Sequence, residues 1–185
     1  TVGITKEGRW LYTEATAEQM ADGSWEELPG NMPCVISPDR ADHGMILFTP
    51  DGRVEKMHLD VVIPVLHGLW GEDGTVQGLL ELAGIPFAGC GALSSALCMD
   101  KDAAHRLVRA AGVAVPPSAL FRTGEGLDTL PERTASLTYP LFVKPVRAGS
   151  SFGVTKVLRP EELENAVRNA FYHDSEVLLE EAVEG

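Results

Sequence analysis

Residues 60–89 constrain the fold of this chain more than any other stretch. DVVIPVLHG is a near-continuous apolar run bounded by polar residues and glycine, the pattern of a strand covered on both faces as in a parallel sheet. GEDG leads into TVQGLLELAG, where Val76, Leu79, Leu80 and Ala83 keep helical spacing and Gly84 supplies the stop. IPFAG then reads as a further short buried strand. Strand, helix and strand within about thirty residues form a βαβ unit, so an open α/β sheet is expected.

The flanking sequence is richer in hairpins. TVGIT and GRWLYTE read as paired strands, and GMILFTPDGRVEKMHLD alternates around the turn signal Pro50-Asp51-Gly52. Residues 15–35 are polar with Gly and Pro and are expected to be irregular, with a helical turn or two. SSALCMDKDAAHRLVRAAGV reads as one helix or two joined ones, with Ala103, Ala104, Leu107, Val108 and Ala111 on one stripe. After VPP come a strand (SALFR), a polar loop over 124–138, a strand pair, a helix (PEELENAVRNAFYH, Pro160 at its first position) and a last strand (EVLLEEAV).

Bulk properties exclude several classes. The 185 residues carry 27 acidic against 15 basic side chains, a net of -12, with no basic block, so neither nucleic acid nor an anionic membrane is an expected partner. Cys34, Cys90 and Cys98 form no CxxC pair and read as reduced thiols of a cytoplasmic protein. The histidines are scattered without HExxH, and no apolar run has the length of a membrane span. The strand pattern is already under way at Thr1 and ends just before Gly185, which reads as part of a longer protein.

The chemistry gathers in YPLFVKPVRAGSSFGVTKV. Strand alternation puts Phe142, Lys144 and Val146 on one face and Leu141 and Val143 on the other, so Lys144 lies between apolar neighbours. An unpaired ammonium there costs several kcal/mol, and an anionic partner is expected. Gly149, Ser150, Ser151, Phe152 and Gly153 offer backbone N–H groups and hydroxyls suited to phosphate oxygens. The loop lacks GK[ST] and precedes a strand, so it reads as a hairpin lid, with a plain turn as the alternative. Lys101 starts a helix, where positive charge is disfavoured unless an anion binds; a solvated lysine beside Asp100 and Asp102 is the other reading. His67 ends the expected buried strand, where ligands gather in open α/β sheets. Glu72 and Asp73 follow it as candidates or as helix caps, and Glu180 and Glu181 end an apolar strand.

Together, LHGLWGEDGTVQGLLELAGIPFAGCG, SSALCMDKDAAHRLVRAAGVAVP, YPLFVKPVRAGSSFGVTKV and VLLEEAVEG resemble the D-alanine–D-alanine ligases of the ATP-grasp superfamily, in that family's order and spacing. The resemblance implies an N-terminal open parallel-sheet domain (pre-ATP-grasp, Rossmann-like) over residues 1–98, lacking its first strand. The first lobe of an ATP-grasp α+β domain is implied over residues 99–185. It implies an ATP-dependent, ADP-forming ligase that joins two D-alanines through D-alanyl phosphate for peptidoglycan precursors, as a cytoplasmic homodimer. Relatives that join D-alanine to D-lactate or D-serine are the alternative. A non-catalytic Rossmann module would want GxGxxG, which the sequence lacks. By matching the family's lysines, Lys101 and Lys144 are expected to hold the ATP phosphates. Gly149, Ser150 and Ser151 would form the lid, and Glu180, Glu181 and Val183 would frame adenine. His67 and Glu72 are expected near the first D-alanine, with His67 and Ser150 taking catalytic roles. The ligands of Mg2+ are expected beyond Gly185, so the isolated 185 residues are expected to be inactive.

Overall fold

The two apolar triplets near the start pair as β1 (Val2–Ile4) and β2 (Trp10–Tyr12), an antiparallel hairpin. The computed structural model describes residues 1–183; Glu184 and Gly185, the close of the VLLEEAVEG run, lie outside the described residues. The chain divides into two units, residues 1–64 with 77–89 and residues 65–76 with 90 onward.

In the first unit a five-stranded sheet runs in the order β1-β2-β3-β4-β5, with β3 (Met32–Ile36), β4 (Gly44–Phe48) and β5 (Val54–His58). Every pairing in it is antiparallel. Between β2 and β3, Thr16 and Gln19 form a reciprocal capping box on α1 (Ala17–Asp22). β3 falls inside the stretch expected to be irregular. Its alternation, with Cys34 and Ile36 buried and Pro33 and Val35 exposed, outweighs the proline. Gly3 is required by packing, since a Cβ there would sit 2.3 Å from the Trp25 ring.

Residues 60–68 do not form the expected buried strand. The α/β class holds, but parallel pairing among the described residues is confined to one bridge between Val62 and Phe87. Its hydrogen bonds are Val62 N–H to Pro86 O at 2.8 Å and Ala88 N–H to Val62 O at 2.9 Å. Pro64 and Pro86 remove donors that a longer ladder would need. Val61, Ile63 and Val65 are 56%, 70% and 78% exposed, so the apolar run is not sandwiched. α2 (Thr75–Ala83) forms as expected, and Leu80, Ala83 and Ile85 are buried.

The second unit starts its helical part with α3 (Ala92–Met99) and α4 (Lys101–Ala110), separated by Asp100, whose carboxylate accepts from Ala103 N–H at 2.9 Å as the α4 N-cap. The expected apolar stripe on α4 is not covered, since Leu107 and Val108 remain exposed. The polar loop holds a short helix, α5 (Leu130–Arg133). β6 (Ser118–Arg122), β7 (Leu141–Pro145), β8 (Thr155–Val157) and β9 (Glu176–Glu181) form an antiparallel sheet in the order β6-β9-β7-β8. On one face Phe121, Leu141, Val143, Val177 and Leu179 pack against Leu163, Ala166, Val167 and Ala170 of α6 (Leu163–Phe171). Pro160 opens a 3-10 turn before α6 rather than the helix itself.

Leu179→Ala is expected to lower the unfolding free energy by about 2–5 kcal/mol, as a cavity in this core would. Ile63→Ala should change it by no more than about 0.5 kcal/mol. Chemical denaturation of both variants measures the contrast, and equal losses would restore the buried-strand reading of residues 60–68.

Candidate functional site

Alternation along β7 builds the site. Leu141 and Val143 face α6 with no exposure, so Phe142 and Lys144 are carried to the opposite face. On the neighbouring β9 the register sets Glu180 opposite Phe142 and Leu178 opposite Lys144. Lys144 and Glu180 therefore share a face as diagonal neighbours, and the Lys144 ammonium pairs with Glu180 Oε1. The same ammonium lies 5.4 Å from the Phe142 ring centroid, a cation–π distance. Glu180 is only 8% exposed. Its second oxygen is 3.6 Å from His105 Nε2 of α4, while His105 Nδ1 has no hydrogen-bond partner among the described residues. The anionic partner expected for Lys144 is thus a carboxylate of the chain itself.

Lys101, the first residue of α4, turns inward. Its ammonium donates to the carbonyls of Val146 at 3.1 Å and Ala148 at 2.8 Å. Burial, and after it the Lys144 ammonium, hold the Lys101 pKa below the ordinary lysine value. Both ammonium groups line a cavity of about 460 Å³, with Phe142, Ser150, Ser151, Val154, Glu180, Glu181 and Val183. Glu181 also reaches away from it, accepting from Thr138 N–H at 2.8 Å.

The loop over 146–154 joins β7 to β8 as the expected hairpin. Ser150 and Ser151 have φ of 48° and 58°, a left-handed conformation that costs L-residues about 1 kcal/mol or more each. Local bonds from Phe152 N–H to Gly149 O at 3.1 Å and from Val154 N–H to Ser151 O at 3.2 Å close the loop. A Cβ on Gly149 would lie 3.3 Å from Gly68 Cα, so this loop meets the 67–72 loop backbone to backbone. Between them is a cavity of about 320 Å³ lined by His67, Gly68, Leu69, Arg147, Ala148, Gly149, Ser150, Phe152 and His173. Glu72 accepts from Gly68 N–H at 2.5 Å and braces its own loop. Asp73 accepts from Trp70 and Thr75 N–H groups at 2.8 and 3.0 Å, a cap on α2.

The sequence candidates therefore fall into two cavities that share Ala148 and Ser150. Lys101, Lys144, Ser151, Glu180, Glu181 and Val183 line one; His67 and Gly149 line the other, with Glu72 beside it. Sequence reasoning missed His105, Arg147 and Asp174. Asp174 accepts from the Arg147 backbone N–H and guanidinium, both at 2.6 Å. Burial would push the Asp174 carboxyl up, but those Arg147 hydrogen bonds outweigh it and hold the group below the usual carboxylate range. Among the described residues no group of His, Cys, Asp or Glu is placed to hold a metal ion, and no helix is long and apolar enough to cross a membrane.

Residues 1–90 match the family model described as D-ala D-ala ligase N-terminus, and residues 107–185 match that described as D-ala D-ala ligase C-terminus. The chain belongs to the D-alanine–D-alanine ligase family. Membership carries the α/β ATP-grasp fold class with it. A Streptomyces coelicolor protein named as a D-alanine–D-lactate ligase is 50% identical over 185 residues, covering 100% of this chain and 50% of that one. The crystal structure of the VanG D-Ala:D-Ser ligase from Enterococcus faecalis gives a TM-score of 0.88 at 48% identity, over 100% of this chain and 52% of that chain. The D-alanine–D-alanine ligase of Bacillus anthracis complexed with ATP gives 0.61 at 38% identity, over 68% of this chain and 42% of that chain. The chain spans about half the length of the curated relatives it matches.

Because the folded Asp174 pKa is depressed, its stabilising contribution is complete above the unfolded value of about 3.9 and is lost as pH falls through the lower folded value. Asp174→Asn is therefore expected to be less stable than the parent at neutral pH, with the gap closing below about pH 4. Denaturation midpoints across a pH series measure this, and a gap that persists undiminished at the acid end would contradict it.

Proposed function

We propose that this chain forms the nucleotide-gripping part of an ATP-dependent ligase that joins two D-alanines. One observation carries the reading: two lysine ammonium groups from different elements converge on one cavity, and the pKa of one is depressed by burial and by the other. Lys144 is already paired there with Glu180, so the cation short of an anion is Lys101, held by two neutral carbonyls, and the cavity's volume suits a small-molecule site.

In this reading the terminal phosphoryl group of ATP passes to the carboxylate of the first D-alanine. A bond forms from carboxylate oxygen to phosphorus, and the bond to the leaving ADP oxygen breaks. The amine of the second D-alanine attacks the acyl carbon, loses a proton, and phosphate departs. Lys101 and Lys144 neutralise phosphate charge that grows on transfer. Gly149, Ser150 and Ser151 close over the transferring group and keep water from the acyl phosphate. Glu180, Glu181 and Val183 frame adenine beside Phe142. His67 faces the first D-alanine across the second cavity, with Glu72 beside it bracing the loop that carries His67. No step is assigned to Mg2+, for which the described residues offer no ligand cluster. The division at residues 98 and 99, a cytoplasmic location and a homodimer belong to the same reading.

A D-lactate or D-serine acceptor is the second reading. It is favoured by the 50% and 48% identities to proteins named for those products, against 42% over 98% of this chain for the D-alanine–D-alanine ligase of Caldicellulosiruptor bescii.

In the full-length protein, Lys144→Ala is expected to weaken ATP binding by about 2–4 kcal/mol, roughly 30- to 1,000-fold. Unchanged affinity by calorimetry would reduce Lys144 to the counter-ion of Glu180. Supplying ATP and D-alanine alone, then with D-lactate or D-serine, and weighing the products by mass spectrometry separates the acceptors.

A further inference from the structure

Arg147 takes no part in the chemistry above, yet three carboxylates converge on it. Its guanidinium donates to Asp174 Oδ1 at 2.6 Å and to Glu176 Oε2 at 2.9 Å, and lies 3.7 Å from Asp100 Oδ2. Its backbone N–H donates to the other Asp174 oxygen at 2.6 Å. The Asp174 side chain is only 6% exposed, against 36% for Arg147, so the carboxylate partner of this charge-assisted hydrogen bond is largely desolvated. The acids come from separate elements: Asp100 caps α4, Asp174 precedes β9, and Glu176 opens β9. Glu176 is also held by Arg122 of β6 at 2.7 Å.

The peptide groups on either side of Arg147 do something different. Val146 O and Ala148 O are the two acceptors of the Lys101 ammonium. Val146 O also accepts the Lys101 backbone N–H at 3.3 Å. An ammonium has three N–H donors, so two are satisfied by this pair of carbonyls and one is left for a ligand. Lys101 is disfavoured where it stands, in the first turn of a helix and beside a second cation, and without those acceptors it would gain by swinging to water.

We infer that Arg147 is a positioning residue for nucleotide binding: anchored on Asp174 and Glu176, it fixes the peptide groups on both its sides, and their carbonyls aim the Lys101 ammonium into the cavity. The inference rests on the reading that Lys101 meets phosphate. A lysine in place of Arg147 keeps the charge but not the planar fork that spans two carboxylates, so charge alone does not reproduce the anchor.

The test is a double-mutant cycle on the full-length protein, with ATP and adenosine as the two probes. Arg147→Met is expected to weaken ATP binding by about tenfold while adenosine, which has no phosphates, changes by less than about twofold. In a Lys101→Ala background the same substitution should weaken ATP binding by less than about twofold. Equal losses for ATP and adenosine, or losses that multiply independently of Lys101, would overturn the inference in favour of a general packing role. Lys101→Ala with unaltered ATP affinity would instead overturn the nucleotide-site reading, and this inference with it. If Arg147→Met does not fold, Arg147→Lys is judged by the same two ratios, and wild-type ratios there would equally overturn the inference.

Discussion

The Glu180 carboxylate sets the electrostatics of the second unit's open sheet face. A carboxylate this buried costs several kcal/mol unless it is paired, and β-sheet register brings it Lys144 from the adjacent strand. His105 approaches its other oxygen from α4. The pairing explains how a lysine can stand beside Phe142 on a sheet with a dry core on its far side. It also defines what a ligand must do, since any phosphate drawn to Lys144 competes with an existing internal anion. Affinity for that ligand is a difference between two pairings rather than the full strength of one.

Lys101 faces the same cavity under other terms. It is held by neutral carbonyls, so its charge is less fully compensated than that of Lys144. The two cations thus divide the work, one tied to an acid and one kept short of an anion.

Much of this was legible in order along the chain. The hairpins β1–β2, β4–β5 and β7–β8, the helix α6 and the strand β9 have strong periods of two or 3.6, and local pattern settles them. The alternation around Lys144 was enough to call for an anion, though it could not say that the anion was Glu180, 36 residues away. Residues 60–68 misled because an apolar run records what a segment could bury, not whether neighbours exist to bury it; among the described residues its strand-like pairing is confined to Val62 with residues 86–88. β3 was hidden by Pro33, which is exposed within it. Arg147, Asp174 and His105 had no local signature at all. Their importance lies in contacts between distant elements, such as the 27-residue span from Arg147 to Asp174. The cavities could not be read for the same reason, since each collects loops that are remote in sequence.

The backbone contact between Gly149 and Gly68 acts as a spacer of minimum thickness. With only 3.3 Å from a would-be Cβ to the opposite Cα, a single added methyl group would wedge the two loops apart by a few tenths of an ångström. The gap beside His67 is therefore gauged by the lack of a side chain at residue 149. A wider mouth is one small substitution away, whereas a narrower one has no substitution available at that position.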